Sequence, residues 1–275
     1  MMKYSIVLAM IISLTFTSCN KEFYQLYKVK ATTSNSNDEK DLVFEDENCI
    51  VRYDLWSEGG RVLFEIFNKT DKDIYLDKSK CFFVLNGKAY DYYQNRSYCY
   101  ANTHVSSKKS VANYKNSYVP ETKQSDMMIL TNSTSVLKGS SSLIVYKETD
   151  ILCIPSNTSR TISEFTLRNT TFRDCELMQF PSHNKVKALS FDADNSPIVF
   201  ENRFQYYIED SKTPIRLNNN FYVEEIVNLP KPDVFEMEYE EYCGEKSMYK
   251  MPHFKDIASN AFYIKYLKTE TKYKH

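Results

Sequence analysis

From Asp41 onward the chain alternates apolar and polar residues with a period near two, and this alternation limits the fold more than any other feature. A period of two puts every second side chain on one face, which a half-buried strand satisfies and a helix does not. The clearest pair is Cys49–Trp56 and Arg61–Phe67, joined across Ser57-Glu58-Gly59-Gly60. Two alternating runs with a glycine turn between them predict a β-hairpin. A second follows, where Cys81–Leu85 ends at Asn86-Gly87, and Asn-Gly between apolar runs is a strong hairpin signal. Further strand-like runs are Ile74–Leu76, Met127–Leu130, Ser142–Tyr146, Ile151–Ile154, Arg160–Leu167, Ile198–Phe200, Arg203–Ile208, Asn220–Leu229 and Phe262–Leu267. Short strands at this spacing predict a mainly β fold, an antiparallel β-sandwich of immunoglobulin-like type.

Two segments depart from the pattern. Between Tyr90 and Ser125 tyrosines and polar residues dominate, which predicts a long loop over 94–125. Pro232-Asp233, then a Glu- and Met-rich stretch to Cys243 and a glycine at 244, predict one short helix over 233–243. The length of 41–275 admits one large sandwich or two β-rich units, 41–150 and 151–275.

Charge and glycine content remove whole classes of function. Lys and Arg number 35 against 36 Asp and Glu, so no net field draws nucleic acid or an acidic surface. With 42% hydrophobic residues, 15% of the chain being aromatic, there is material for a packed core. Five glycines, none in a G-x-G arrangement, exclude a dinucleotide fingerprint and a P-loop, so no nucleotide is expected.

The first residues carry an address. Met1-Met2-Lys3 precedes a nearly unbroken apolar run, Tyr4 to Phe16, and then Thr17-Ser18-Cys19. A charged start, a short apolar core and small residues before a processing point form a secretory signal, and the run is shorter than the ~20 apolar residues that span a bilayer. Phe16-Thr17-Ser18-Cys19 resembles a bacterial lipobox, although Phe16 stands where Leu is commonest. That resemblance implies cleavage before Cys19 and a thioether-linked lipid on its sulfur. Two or more acyl chains suffice for stable anchoring, so 1–18 is read as the signal, Cys19 as the lipidation site, and the polar stretch within 19–40 as a tether. Phe23–Tyr27 interrupts that tether as a candidate short strand.

Several strings of the body, Tyr53–Gly60, Asn68–Leu76 and Phe82–Gly87 with Ala89–Tyr93 and Asn95-Arg96, resemble a family of uncharacterised lipoproteins from Gram-negative gut and oral anaerobes. The similarity reaches Cys153-Ile154-Pro155, Asp174-Cys175 and the C-terminal third. The family implies no activity, and lipid on Cys19 is the one residue role it adds.

Candidate chemistry is sparse. Beyond Cys19 six cysteines remain, with no C-x-x-C among them, so zinc ribbons and thioredoxin-type motifs are excluded. An even number in an oxidising compartment permits up to three disulfides, in any of fifteen connectivities, and the one bridge singled out is Cys153 with Cys175, at the end of one strand run and after the next. His104, His183, His253 and His275 lack the close spacing of a helical zinc motif. Asp192-Ala193-Asp194-Asn195-Ser196 starts like a calcium loop, but Pro197 stands in place of its glycine and Arg203 in place of its closing Glu. It reads as a turn. Glu236, Glu238, Glu240 and Glu241 read as a solvated face. No metal, organic cofactor or catalytic residue is assigned. Tyr90, Tyr92, Tyr93, Tyr98 and Tyr100, in or beside the long loop, are the candidate binding residues, since a tyrosine offers a stacking face and a hydroxyl.

The sequence thus predicts a lipoprotein of the outer membrane, on its periplasmic or outer face. It would be held by lipid on Cys19 and would display a β-rich module that binds a protein or a glycan. The alternatives are a hydrolase acting on glycans or envelope polymers and an assembly or protection factor for an envelope complex.

Overall fold

The computed structural model describes residues 21–32, 40–103, 141–211 and 213–268. Its strands are, in chain order, β1 (Glu22–Ala31), β2 (Leu42–Glu45), β3 (Cys49–Asp54), β4 (Arg61–Asn68), β5 (Ile74–Asp77) and β6 (Phe82–Leu85). Then come β7 (Lys88–Asp91), β8 (Ser97–Thr103), β9 (Ser141–Lys147), β10 (Ile151–Ile154), β11 (Ser159–Thr166) and β12 (Ala188–Ser190). The last five are β13 (Val199–Ile208), β14 (Ile215–Pro230), β15 (Phe235–Tyr242), β16 (Glu245–Phe254) and β17 (Ala261–Leu267).

The alternation does what the sequence implies. In β3 Cys49, Val51 and Tyr53 are buried while Arg52 and Asp54 are exposed, and in β4 Val62, Phe64, Ile66 and Asn68 point inward. Both expected hairpins form, β3 with β4 and β6 with β7. Their turns hold Gly59 and Gly60 at φ 80° and 69°, and Asn86 and Gly87 at 48° and 78°, where a side chain with Cβ is strained.

The strands assemble into two main antiparallel sheets. One runs β10-β5-β13-β14-β1-β17, with β12 on β14 and the β6–β7 hairpin on β13; the other runs β11-β4-β3-β2. Each contains strands from before and after residue 150. The two sheets share one aromatic core, in a sandwich-like arrangement. Tyr53 of the smaller sheet meets Phe221 edge-on at 4.7 Å, Phe64 meets Phe204 at 4.9 Å, and Phe221 stacks on Phe200 at 4.6 Å. Edge-to-face and offset pairs of this kind stabilise beyond the area they bury, by about 1 kcal/mol each.

A polar seam runs through this core. Asn219 and Asn202 donate to the Tyr53 hydroxyl at 2.8 and 3.2 Å, and Tyr92 donates to the Asn202 carbonyl oxygen at 2.7 Å. Partnered in this way, the buried amides avoid the cost of lost hydration.

Three segments differ from the sequence reading. The expected helix over 233–243 is a strand, β15, preceded by a single helical turn at Lys231–Val234. Phe235, Met237 and Tyr239 alternate with glutamates, a period of two that outweighs the helix-favouring composition. Gly244 is not a helix cap: Cys243 and Gly244, at φ 52° and 84°, are the two central residues of the hairpin turn to β16. Within the expected tether over 19–40 the candidate short strand Phe23–Tyr27 forms and runs longer, as β1, which lies between β14 and β17 with Gln25, Tyr27 and Val29 buried. The expected loop over 94–125 begins as a strand, since β8 pairs with β9 from Ser97 to Thr103; residues 104–125 lie outside the described residues, as does the expected strand at 127–130. The segment at Asp192 is a turn, its carboxylate accepting from the amides of Asp194 and Asn195.

Candidate interaction site

The tyrosines expected to form one binding patch are divided by their position on the chain. Tyr92 is a core residue, 2% exposed, wedged against Phe165, Phe64 and Phe204. Burial raises its phenol far above the ordinary range, with a further contribution from the neighbouring Tyr53. Tyr92 is therefore no ligand contact. Tyr90 is half-buried against Phe83 and Phe165, with the Lys88 ammonium 5.3 Å from its ring. Tyr93 bonds Asn95 and lies beneath Lys78, and Tyr98 lies beneath Arg96. The Tyr100 side chain and Cys19 lie outside the described residues. Cys153 and Cys175 are both free, so the expected bridge is absent. The Cys153 thiol lies 3.6 Å from the Asp73 carboxylate, and its pKa is raised by burial and then by that charge.

A buried carboxylate fixes the neck from which β8 and β9 depart. Glu148, directly after β9, has a side chain 3% exposed. It accepts from Arg96, directly before β8, at 3.0 and 3.3 Å, from Lys78 at 2.8 Å, and from the amides of Gln94 and Arg96 at 3.2 and 3.0 Å. Burial pushes this carboxyl up, but those donors outweigh it and hold it down at about 2. Arg96 also reaches Glu164 on β11 at 2.9 Å, and Lys78 starts the short helical turn after β5. The cluster ties the neck to both main sheets, which is a structural role.

The end of the sandwich where β1 begins is built differently. A cavity of about 710 Å³ there is lined by Lys21, Phe23, Phe180, His183, Lys231 and Lys268, among others. Phe23 packs on Phe180 at 5.3 Å and on Tyr266 at 5.8 Å. Glu22 pairs with Lys231 at 2.6 Å and Lys265 at 2.8 Å, and the hydrogen bonds from Lys231 and then Lys265 lower its pKa. His183 Nδ1 lies 2.7 Å from Asp233. The Lys268 ammonium stands 5.8 Å from the Phe180 ring centroid.

Rooted at this same end is the hairpin of β15 and β16. Pro230, which closes β14, pairs with Phe23, and the chain passes through Lys231–Val234 into β15. At the root Phe235 and Phe254 pack together at 4.3 Å and hold Tyr24 at 5.2 and 6.2 Å, while Trp56 meets Phe254 at 5.1 Å. The two strands form a sheet of their own. Cross-strand pairing puts Phe235, Met237 and Tyr239 on one face with Phe254, Pro252 and Lys250. Tyr242, Met248 and Tyr249 are 84%, 86% and 75% exposed.

Methionine adapts to irregular partners and tyrosine combines an apolar ring with a polar tip, so such a ribbon is suited to contact with another surface. The sequence signal for it was present in the alternation and in Cys243-Gly244, but the glutamates resembled a helix. Among the described residues no three His, Cys, Asp or Glu side chains group as a metal site, and no helix is long and apolar enough to cross a membrane.

No protein-family model matches the chain, and neither a curated protein nor a solved structure matches it.

Proposed function

We propose that this chain is a lipoprotein of the outer membrane, held by lipid on Cys19, whose β-sandwich body acts as a binding module for a protein partner. The observation that carries the binding reading is the β15–β16 hairpin. It departs from the body as a two-stranded ribbon, and its exposed side chains include Met237, Tyr239, Tyr242, Met248, Tyr249 and Met251. A lone hairpin in water is marginally stable, and exposed apolar ribbons mark contact sites more often than scattered single residues do. The anchor reading rests on the lipobox-like end of the signal at Cys19.

The test is photo-crosslinking in cells from a probe replacing Tyr249. The proposal expects a discrete protein adduct that disappears when Met237, Tyr239 and Met248 are changed to serine. An adduct unaffected by those changes, or the same adduct from a probe at Asn220 on β14, would count against the hairpin as the contact.

A further inference from the structure

The place where β1 starts has a consequence for how the body stands on a membrane. Cys19 is three residues before Glu22, the first residue of β1, and three residues extend to at most about 11 Å. β1 is no loose arm: it pairs with β14 along one side from Phe23 and with β17 along the other from Glu22. A lipid on Cys19 therefore leaves Lys21, two residues on, within about 7 Å of the headgroups and Phe23, four residues on, within about 14 Å, the first inside and the second a little beyond one Debye length of about 8–10 Å. The β-sandwich is not held off on a long tether, because only Asn20 and Lys21 stand between Cys19 and the first residue of a strand paired on both sides.

That end has the chemistry for a headgroup layer. Lys21, Lys231 and Lys268 line the cavity, with exposed His183 beside them. The two carboxylates among the residues lining the cavity are already engaged, Glu22 by Lys231 and Lys265 and Asp233 by His183. Phe23 and Phe180 supply an apolar wall, and Tyr266 completes the aromatic cluster, in the manner of the aromatic residues found at membrane interfaces.

We propose that this end is seated on the bilayer and that its cavity takes the phosphate of an anionic phospholipid headgroup. The inference rests on the lipid anchor of the preceding subsection. It also fixes an orientation: Thr32, beyond the far end of β1, stands about 30 Å out, at roughly 3.3 Å per strand residue.

The experiment uses the full lipidated chain in floated vesicles of phosphatidylethanolamine and phosphatidylglycerol. A photoreactive benzoylphenylalanine replaces Ser182, exposed at the cavity rim, or Thr32. Seating predicts phosphatidylglycerol adducts several-fold more abundant from position 182 than from 32. The variant Lys21→Gln with Lys268→Gln should weaken the seated state by roughly fivefold per lysine and abolish the excess over vesicles in which phosphatidylcholine replaces phosphatidylglycerol. Glu22 keeps both its partners in that variant, so the fold is preserved. Equal adducts from both positions on protein that floats overturn the seating and leave the anchor standing. Adducts favouring position 182 but indifferent to lipid charge and to the lysines overturn the headgroup site. Protein that fails to float overturns the anchor, and the seating with it.

Discussion

The Arg96 guanidinium donates to both oxygens of the Glu148 carboxylate, and so joins the residue before β8 to the residue after β9 across 51 intervening positions. Removing one partner of a buried pair leaves the other charge uncompensated, at a cost of about 3 kcal/mol or more. Glu148→Ala is therefore expected to lower the denaturant midpoint with little change in slope. The pH dependence has a definite sign. The folded-state pKa of about 2 lies below the ordinary carboxyl value of 4.5, so the stabilisation is complete above that ordinary value and is lost as pH falls toward 2. Urea titrations at pH 7 and pH 3 check this: the gap between wild type and Glu148→Ala should narrow at pH 3.

Gly60 is the position where the β3–β4 turn meets the last strand. It has φ 69°, and a Cβ there would lie 2.7 Å from Cγ of buried Phe262. Backbone strain and the clash act together, so Gly60→Ala should destabilise by about 2–4 kcal/mol. Gly87→Ala, with nothing within 4 Å of the added carbon, should cost about 1 kcal/mol, from φ alone. Thermal unfolding of the two variants should separate these contributions.

Tyr92 belongs to the core and not to a ligand surface. Tyr92→Phe deletes the 2.7 Å bond to Asn202 and should cost about 1–2 kcal/mol. Tyr92→Ala should cost about 3–5 kcal/mol by leaving a cavity. Neither change should alter crosslinking from the hairpin once the protein is folded, whereas a ligand-contact role for Tyr92 would abolish it. Denaturation combined with the Tyr249 crosslink distinguishes the two.

The hairpin forms a two-stranded sheet of its own and meets the body at its root through Phe235 and Phe254. Gly244→Val forces a β-branched residue to φ 84°, which should disrupt the turn and the adjoining register of β15 and β16. Amide exchange is expected to speed up across Tyr239–Tyr249 while amides of β13 and β14 keep their protection. Loss of protection throughout would mean that the hairpin is integral to the core.

Local features were legible where one stretch of chain decides them. Gly59-Gly60 and Asn86-Gly87 specify turns between alternating runs, so β3–β4 and β6–β7 could be read directly. β1 could be read only in part, as the candidate strand Phe23–Tyr27, because its neighbours β14 and β17 lie roughly two hundred residues away or more and its buried Gln25 reads as polar until Phe172 and Asn228 supply partners. The register of single residues was equally hidden. Tyr92 and Tyr93, just past the end of β7, are adjacent and chemically identical, yet the chain sends one into the core and leaves the other half-exposed. In β15 the glutamates and methionines favour a helix locally, and the pairing with β16 outweighs that preference.

The most direct test of the account is mass spectrometry of the mature N-terminal peptide from membranes of cells expressing the full chain, with and without globomycin. The account predicts a peptide that begins at Cys19 and carries a diacylglyceryl thioether, replaced by the uncleaved, diacylglyceryl-modified precursor when signal peptidase II is inhibited. An N-terminus elsewhere, or an unmodified Cys19 in membrane-free protein, would contradict it.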